Sequence, residues 1–329
     1  MNTTPSSPLH YISTTAADRP RSEKDQPQVD ATKPVRSASE RALVLGGGGS
    51  TGNAWLIGVI AGLFDPGPDV TDADLIIGTS AGSTAAAQLA GATPAELFAA
   101  ILAAAPQQRT GPVGSGSGRV RPAADHMDRT SKIIAAAEDA ADMRRRMGAA
   151  ALDLDAESDG SWQARWRATV AARLPSQHWP DRTVLITAVN ARTGEPVVFD
   201  RHSGVDLVDA VAASCASGFA YRVGGSYYID GGYRSNAENA DLAAGYARVL
   251  VLSPFGGRSR TPLEWGMHLA TQVDELRARG SRVEAIFPDS NSEHMFGANA
   301  MDLSLRPPAA RAGYSQGRAV AQQLTEFWR

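Results

Sequence analysis

Two stretches of this chain place residues where a carboxylic ester could be cleaved. Gly78-Thr79-Ser80-Ala81-Gly82 matches G-x-S-x-G, in which small neighbours let a serine occupy a tight turn with its hydroxyl exposed. Ala42-Leu43-Val44-Leu45 runs into Gly46-Gly47-Gly48-Gly49-Ser50-Thr51-Gly52, whose backbone N–H groups could hold an oxyanion. Each stretch is an apolar strand that enters glycines and leaves as a helix, so a positive helix N-terminus lies where negative charge would develop. Leu75-Ile76-Ile77 leads into the serine turn, and Ser83-Thr84-Ala85-Ala86-Ala87 leaves it as a helix of small residues that can lie close to a sheet.

A nucleophilic serine needs a base. Of the six histidines, His268 and His294 are the downstream candidates for a Ser-acid-His order, and neither sits in a recognisable strand-end loop. No catalytic histidine is assigned. Only one strand precedes the serine turn, whereas the elbow of an α/β-hydrolase follows several. Asp230 ends a short predicted strand and is followed by Gly231-Gly232, which let the backbone approach a neighbouring loop. A carboxylate within hydrogen-bond reach can take the serine proton directly. Gly47-Gly48-Gly49-Ser50-Thr51-Gly52 also fits G-x-G-x-x-G, but a dinucleotide fold calls for Asp or Glu at the end of the next strand, which here ends in Gly78-Thr79-Ser80.

The elements that must position these groups follow from pattern and composition. The chain has 329 residues, is 43% hydrophobic and carries a net charge of −3, so it has no broad basic field and nucleic acid is not an expected partner. Cys215 is the single cysteine, which rules out an internal disulfide and a cysteine zinc cluster and reads as a small apolar helix residue. Residues 1–40 are rich in Ser, Thr, Pro and charge, lack the apolar core of a signal peptide, and are expected to form a disordered tail. The apolar run 54–64 is too short to span a bilayer, so no transmembrane helix is expected. A cytoplasmic protein is anticipated, with any membrane contact peripheral.

From residue 41 the pattern reads strand 41–45, helix 53–64, strand 74–79 and helix 81–90. A helix over 94–105 and a Gly/Ser/Pro-rich loop over 107–121 come next. Residues 126–174 are helical but irregular, which makes the region around 107–175 flexible or lid-like. Within it, Arg144-Arg145-Arg146 could contact an anionic membrane surface, although a solvated helix face is the commoner reading of such a run. Strands are predicted at 183–190, 196–199, 227–229, 249–253 and 283–287, with helices at 205–215, 261–279 and 308–328. Residues 41–329 thus read as one α/β domain.

Taken in order, the motifs resemble those of the patatin-like phospholipases, whose signature is a glycine-rich oxyanion loop, then G-x-S-x-G, then a distant D-G-G or D-G-A. The resemblance runs from about Arg41 to the C-terminus and includes Ala213-Ser214-Cys215-Ala216 before the Asp-Gly-Gly strand. It implies a three-layer α/β/α patatin-like fold with a mostly parallel central sheet. It also implies a Ser80–Asp230 dyad, oxyanion donors at Gly47, Gly48 and Gly49, an acyl-enzyme intermediate, a lipid or other acyl-ester substrate, and neither cofactor nor metal. Two positions depart from the family pattern. Thr51 stands where Arg or Lys is usual, removing a cation that could favour an anionic head group, and Ser217-Gly218 stands where a proline usually follows. A catalytically silent lipid-binding protein of the same fold and a nucleotide-binding protein remain the alternatives.

Overall fold

The computed structural model describes residues 40–104, 123–156, 158 and 160–329. The expected N-terminal tail, up to residue 39, and the Gly/Ser/Pro-rich loop therefore lie outside the described residues. Eight strands form one sheet: β1 (Arg41–Leu45), β2 (Leu75–Gly78), β3 (Thr183–Asn190), β4 (Pro196–Phe199), β5 (Tyr221–Val223), β6 (Ser226–Asp230), β7 (Arg248–Leu252) and β8 (Arg282–Ile286). Strands β3, β2, β1, β7 and β8 lie side by side in that order and are all parallel. β4 and β6 pair antiparallel with β3, and β5 pairs antiparallel with β6.

The parallel strands are apolar on both faces because helices cover both. Leu43, Leu45, Ile76, Leu250 and Leu252 point into one core, and their alternates Ala42, Val44, Leu75, Ile77, Val249 and Val251 into a second on the opposite face. The first core is closed by α1 (Gly49–Phe64), α2 (Ala81–Leu89), α3 (Pro94–Ala103), and later by α7 (Leu207–Ser214) and α9 (Arg306–Trp328). The second is closed by α8 (Leu269–Ala278) and the short turn Ala240–Ala243. These are the three layers.

Helix α1 is buried nearly all round and lies against α9 through two pairs of glycines. A Cβ on Gly58, Gly62, Gly313 or Gly317 would run into the facing backbone, so glycine there permits a crossing too close for any side chain. Between β2 and β3 stand α4 (Ala123–Ala136), α5 (Ala140–Ala156) and α6 (Ser161–Ala171). Helix α5 buries Met143, Met147 and Ala151 against Val189, Ala191 and Ile229, while Trp166 of α6 donates to the Ala212 carbonyl at 3.1 Å. The arginine run divides accordingly: Arg144 turns inward and donates to the carbonyls of Gly194 and Arg234 at 2.9 and 3.1 Å, and Arg145 and Arg146 pair with Asp142. No helix among the described residues is long and apolar enough to cross a membrane.

Two helices start earlier or later than the sequence reading places them, and one strand is absent from that reading. Helix α1 begins at Gly49, four residues ahead of the expected start at Asn53, because the glycine loop feeds straight into it with no capping side chain. The helix expected over 261–279 is only Leu269–Ala278; Pro262 opens a single turn, Leu263–Trp265, and Gly266 closes it at φ 66°. Strand β5, three residues long, is too short to show alternation.

The pairing on β3 determines the geometry of the site. Ile186 pairs with Gly78 of β2 and also with Phe199 of β4, so those two strands lie on opposite edges. Ala188 pairs with Val197 of β4 and with Asp230 of β6, so β6 shares its edge with β2. Strand β2 covers Thr183 to Ile186 of that edge and β6 covers Ala188 to Asn190 in the opposite direction, so the two strands meet end to end at Thr187.

Candidate active site

The end-to-end meeting brings the serine turn against the aspartate. Ser80 takes φ 52° and ψ −113°, a conformation strained for any residue but glycine, and leads directly into α2. Both flanking glycines are required by packing. A Cβ on Gly78 would come within 2.6 Å of Ser83 Cα, and one on Gly82 would fall on the Leu45 carbonyl of β1. The turn is then tied to the end of α7: the Ser80 N–H donates to Ser214 Oγ at 2.9 Å, and the Ser80 carbonyl accepts from Cys215 Sγ at 3.1 Å and from Ser83 Oγ at 2.6 Å. Burial pushes the Cys215 thiol up to about 11, so it stays protonated and able to donate. Ala213-Ser214-Cys215-Ala216, noted in the sequence only as a stretch of resemblance, is thus the support behind the serine.

Asp230 Oδ2 accepts from Ser80 Oγ at 2.8 Å, and Oδ1 accepts from the Gly232 N–H at 2.8 Å. Asp230 is only 8% exposed, and burial pushes its pKa up to about 6, against the opposing pull of the Gly232 and Ser80 donors. Gly231 lies on Thr187 so closely that a Cβ there would overlap the threonine backbone and hydroxyl, which is why the residue after the aspartate is glycine. His268 is held by the Thr261 carbonyl and His294 by the Asn291 carbonyl, each at 2.9 Å, and among the described residues no histidine touches Ser80 or Asp230.

The glycine loop lies beside the nucleophile, with the position of a Cβ on Gly47 only 3.5 Å from Ser80 Cβ. The three amides named from sequence are not equivalent. The Gly47 N–H is engaged by the Ala237 carbonyl at 2.7 Å, as the Gly46 N–H is by the Leu252 carbonyl at 2.9 Å, so Gly47 anchors the loop and does not point a free donor at a substrate. Gly48 and Gly49 have no acceptor among the described residues, and Gly49 opens α1, where N–H groups lack helical partners.

Thr51 is fully buried, its hydroxyl without a partner among the described residues. The cation beside the first turn of α1 comes instead from α9: Arg306 donates to Ser50 O and Oγ at 2.9 and 3.1 Å and to Asn53 Oδ1 at 3.3 Å. The sequence reading missed Thr187, Asn239 and this arginine, none of which carries a local motif.

The family comparison agrees with this architecture. The family model for patatin-like phospholipase matches residues 43–242, more than half of the chain and a span that contains the glycine loop, Ser80 and Asp230. The chain belongs to the patatin-like phospholipase family, which implies lipid acyl hydrolase activity. Among solved structures it is similar to VipD from Legionella pneumophila, at 12% identity and a TM-score of 0.42, over 87% of this chain and 67% of that one. No curated protein sequence matches this chain.

Proposed function

We propose that the protein is a serine acyl hydrolase that cleaves carboxylic esters of lipids through Ser80 and Asp230. The observation that carries this reading is the 2.8 Å contact between Ser80 Oγ and Asp230 Oδ2. Asp230 takes the hydroxyl proton as Ser80 Oγ attacks the ester carbonyl carbon. The tetrahedral oxyanion is held by the Gly48 and Gly49 N–H groups at the start of α1, where the helix dipole adds to their effect. The proton passes from Asp230 to the departing alkoxide, leaving an acyl-enzyme. Water then attacks the acyl carbon with Asp230 again as base, and Ser80 regains its proton as the fatty acid leaves.

Burial suits Asp230 to this work. A carboxylate with a pKa near 6 is a stronger base than an exposed one yet is still ionised at neutral pH. A fluorophosphonate probe tests the reading: it should label the native protein at Ser80 and fail to label Ser80→Ala. A catalytically silent lipid-binding protein or a nucleotide-binding protein would leave the probe unreacted, and that result would overturn the proposal.

A further inference from the structure

Ser80 and Asp230 are 150 residues apart in sequence, and the strands that carry them meet end to end with no ladder between them. Their separation therefore depends on what bridges the gap. The end of α7 holds both turns from one side, accepting the Ser80 N–H at Ser214 Oγ and the Asp230 N–H at the Ala216 carbonyl, each at 2.9 Å, and one buried side chain spans the gap from the other. Asn239 Nδ2 lies 3.0 Å from Thr79 Oγ1, next to the nucleophile, and 3.0 Å from the Gly231 carbonyl, next to the base. A primary amide has two N–H hydrogens, so these two acceptors take one each, and the longer 3.4 Å approach to Thr187 Oγ1 is a shared contact. Thr79 and Thr187 complete the bridge, their hydroxyls 2.9 Å apart.

The backbone at Asn239 is also unusual. It takes φ 57° and ψ 42°, and among the described residues only it and Ser80 are non-glycine residues with positive φ. Asn tolerates this region better than most residues, but such strain persists only where the surroundings hold it. Here Asn236 does so: its Oδ1 accepts the N–H groups of Glu238 and Asn239 at 2.9 and 2.7 Å, and its Nδ2 donates to the Met267 carbonyl at 2.8 Å. The same turn presents the Ala237 carbonyl to Gly47 at 2.7 Å. One buried turn thus touches the glycine loop, the nucleophile's turn and the base's turn.

We infer that Asn239 is a positioning residue that sets the spacing between Ser80 and Asp230 by holding Thr79 and Gly231 with one amide group. It reaches no substrate, and the inference rests on Ser80 and Asp230 acting as the proposed pair. Loss of the amide lets the two turns drift apart, and a displacement of about 1 Å in reacting groups can cost about 10²-fold in rate.

Two variants test this in the full chain. Asn239→Gly keeps the left-handed backbone and deletes the amide, and Asn239→Asp keeps the shape while replacing the donor by an acceptor. The measurement is the rate constant and final extent of fluorophosphonate labelling between about pH 5 and pH 9, a window spanning the ordinary and raised carboxylate range. Labelling should run to completion in both variants with a rate constant lower by about 10²-fold. Its acid limb should also move upward, because a Ser80 hydroxyl that drifts away no longer stabilises the Asp230 carboxylate. A native rate constant with an unmoved limb in either folded variant overturns the inference. So does a lower extent of labelling at a native rate constant, the signature of a residue needed only for folding. Should Asn239→Gly fail to fold, the isosteric Asn239→Asp decides alone. Failure of the native protein to label at Ser80 overturns the pairing of Ser80 with Asp230 instead, so the two ideas fail in different measurements.

Discussion

The parallel strands β2, β1, β7 and β8 and the antiparallel strands β4, β5 and β6 share β3 but bring different things to the site. Parallel strands all point their C-terminal ends the same way, so the glycine loop after β1, Ser80 after β2 and Ser253-Pro254 after β7 arrive on one edge as a consequence of topology. Strand β6 runs the other way, and a longer antiparallel neighbour would carry its last residue to the opposite end of the sheet. Asp230 reaches the nucleophile only because β6 stops after pairing with Ala188 to Asn190 on the edge that β2 leaves empty. The nucleophile's place is a property of the fold class, whereas the base's place depends on strand length and register, where a slip of one residue would turn the carboxylate to the other face.

The largest expected effects come from removing either partner of the contact. Ser80→Ala and Asp230→Asn should each lower ester turnover by about 10⁴-fold or more, and the double variant should be little worse than either, since groups that act as one unit are strongly non-additive. His268→Gln and His294→Gln should keep near-native turnover; if either, still folded, is as inactive as Asp230→Asn, the base has been assigned to the wrong residue. The comparison sharpens with one glycine from each half. Gly231→Ala pushes the base off Thr187 and should cost about 10²-fold in kcat with most of the fold kept. Gly82→Ala pushes α2 off the Leu45 carbonyl and should show mainly as lost stability, by about 1–3 kcal/mol or more, read from denaturant midpoints.

The pH dependence separates the two halves again. Turnover should rise as pH increases through about 6, where Asp230 ionises, and then level off. Stability should run the opposite way. Folding raises the pKa of Asp230 to about 6 and, through burial, that of Glu238 to about 7, so between about pH 4 and pH 7 these two groups hold more protons in the folded chain than in the unfolded one. The contribution of these two groups to stability therefore falls as pH rises across that window and is constant above it. Asp230→Asn removes one of these buried charges and should be more stable than the native protein at pH 8 by about 3 kcal/mol, with the difference gone near pH 4. Urea melts at those two pH values measure it; equal stability at pH 8 would mean that the carboxylate is not desolvated as the fold implies. The smallest effects belong to the surface of α5, where Arg145→Ala and Arg146→Ala break exposed pairs with Asp142 and should change stability by less than about 1 kcal/mol. Arg144→Ala should cost more, because it strands two carbonyls that the guanidinium now satisfies.

Much of the parallel half was legible in the chain. Ala42-Leu43-Val44-Leu45 and Leu75-Ile76-Ile77 are continuous apolar runs that end in glycine, and such runs form strands buried on both faces regardless of what lies elsewhere. Ser80 could be named because the steric demands of its turn are met by residues within two positions of it. Asp230 could be named as well, through Gly231-Gly232 and the order of the motifs. The reading failed where punctuation or length misled: the helix expected over 261–279 is broken by Pro262 and Gly266, and β5, which pairs over three residues only, was not read at all.

By itself, then, the sequence determined the α/β alternation and the turn that exposes Ser80, since these depend on contacts between chain neighbours or on one face of one element, whereas the demand for glycine after Asp230 comes from its contact with the distant Thr187. The 2.8 Å between Ser80 and Asp230, the diversion of the Gly47 N–H to Ala237 and the reach of Asn239 from Thr79 to Gly231 were decided only in three dimensions. Each joins groups far apart in the chain whose meeting depends on the pairing register of β3 with β2 and β6, and that register is set by the whole sheet and its two cores together.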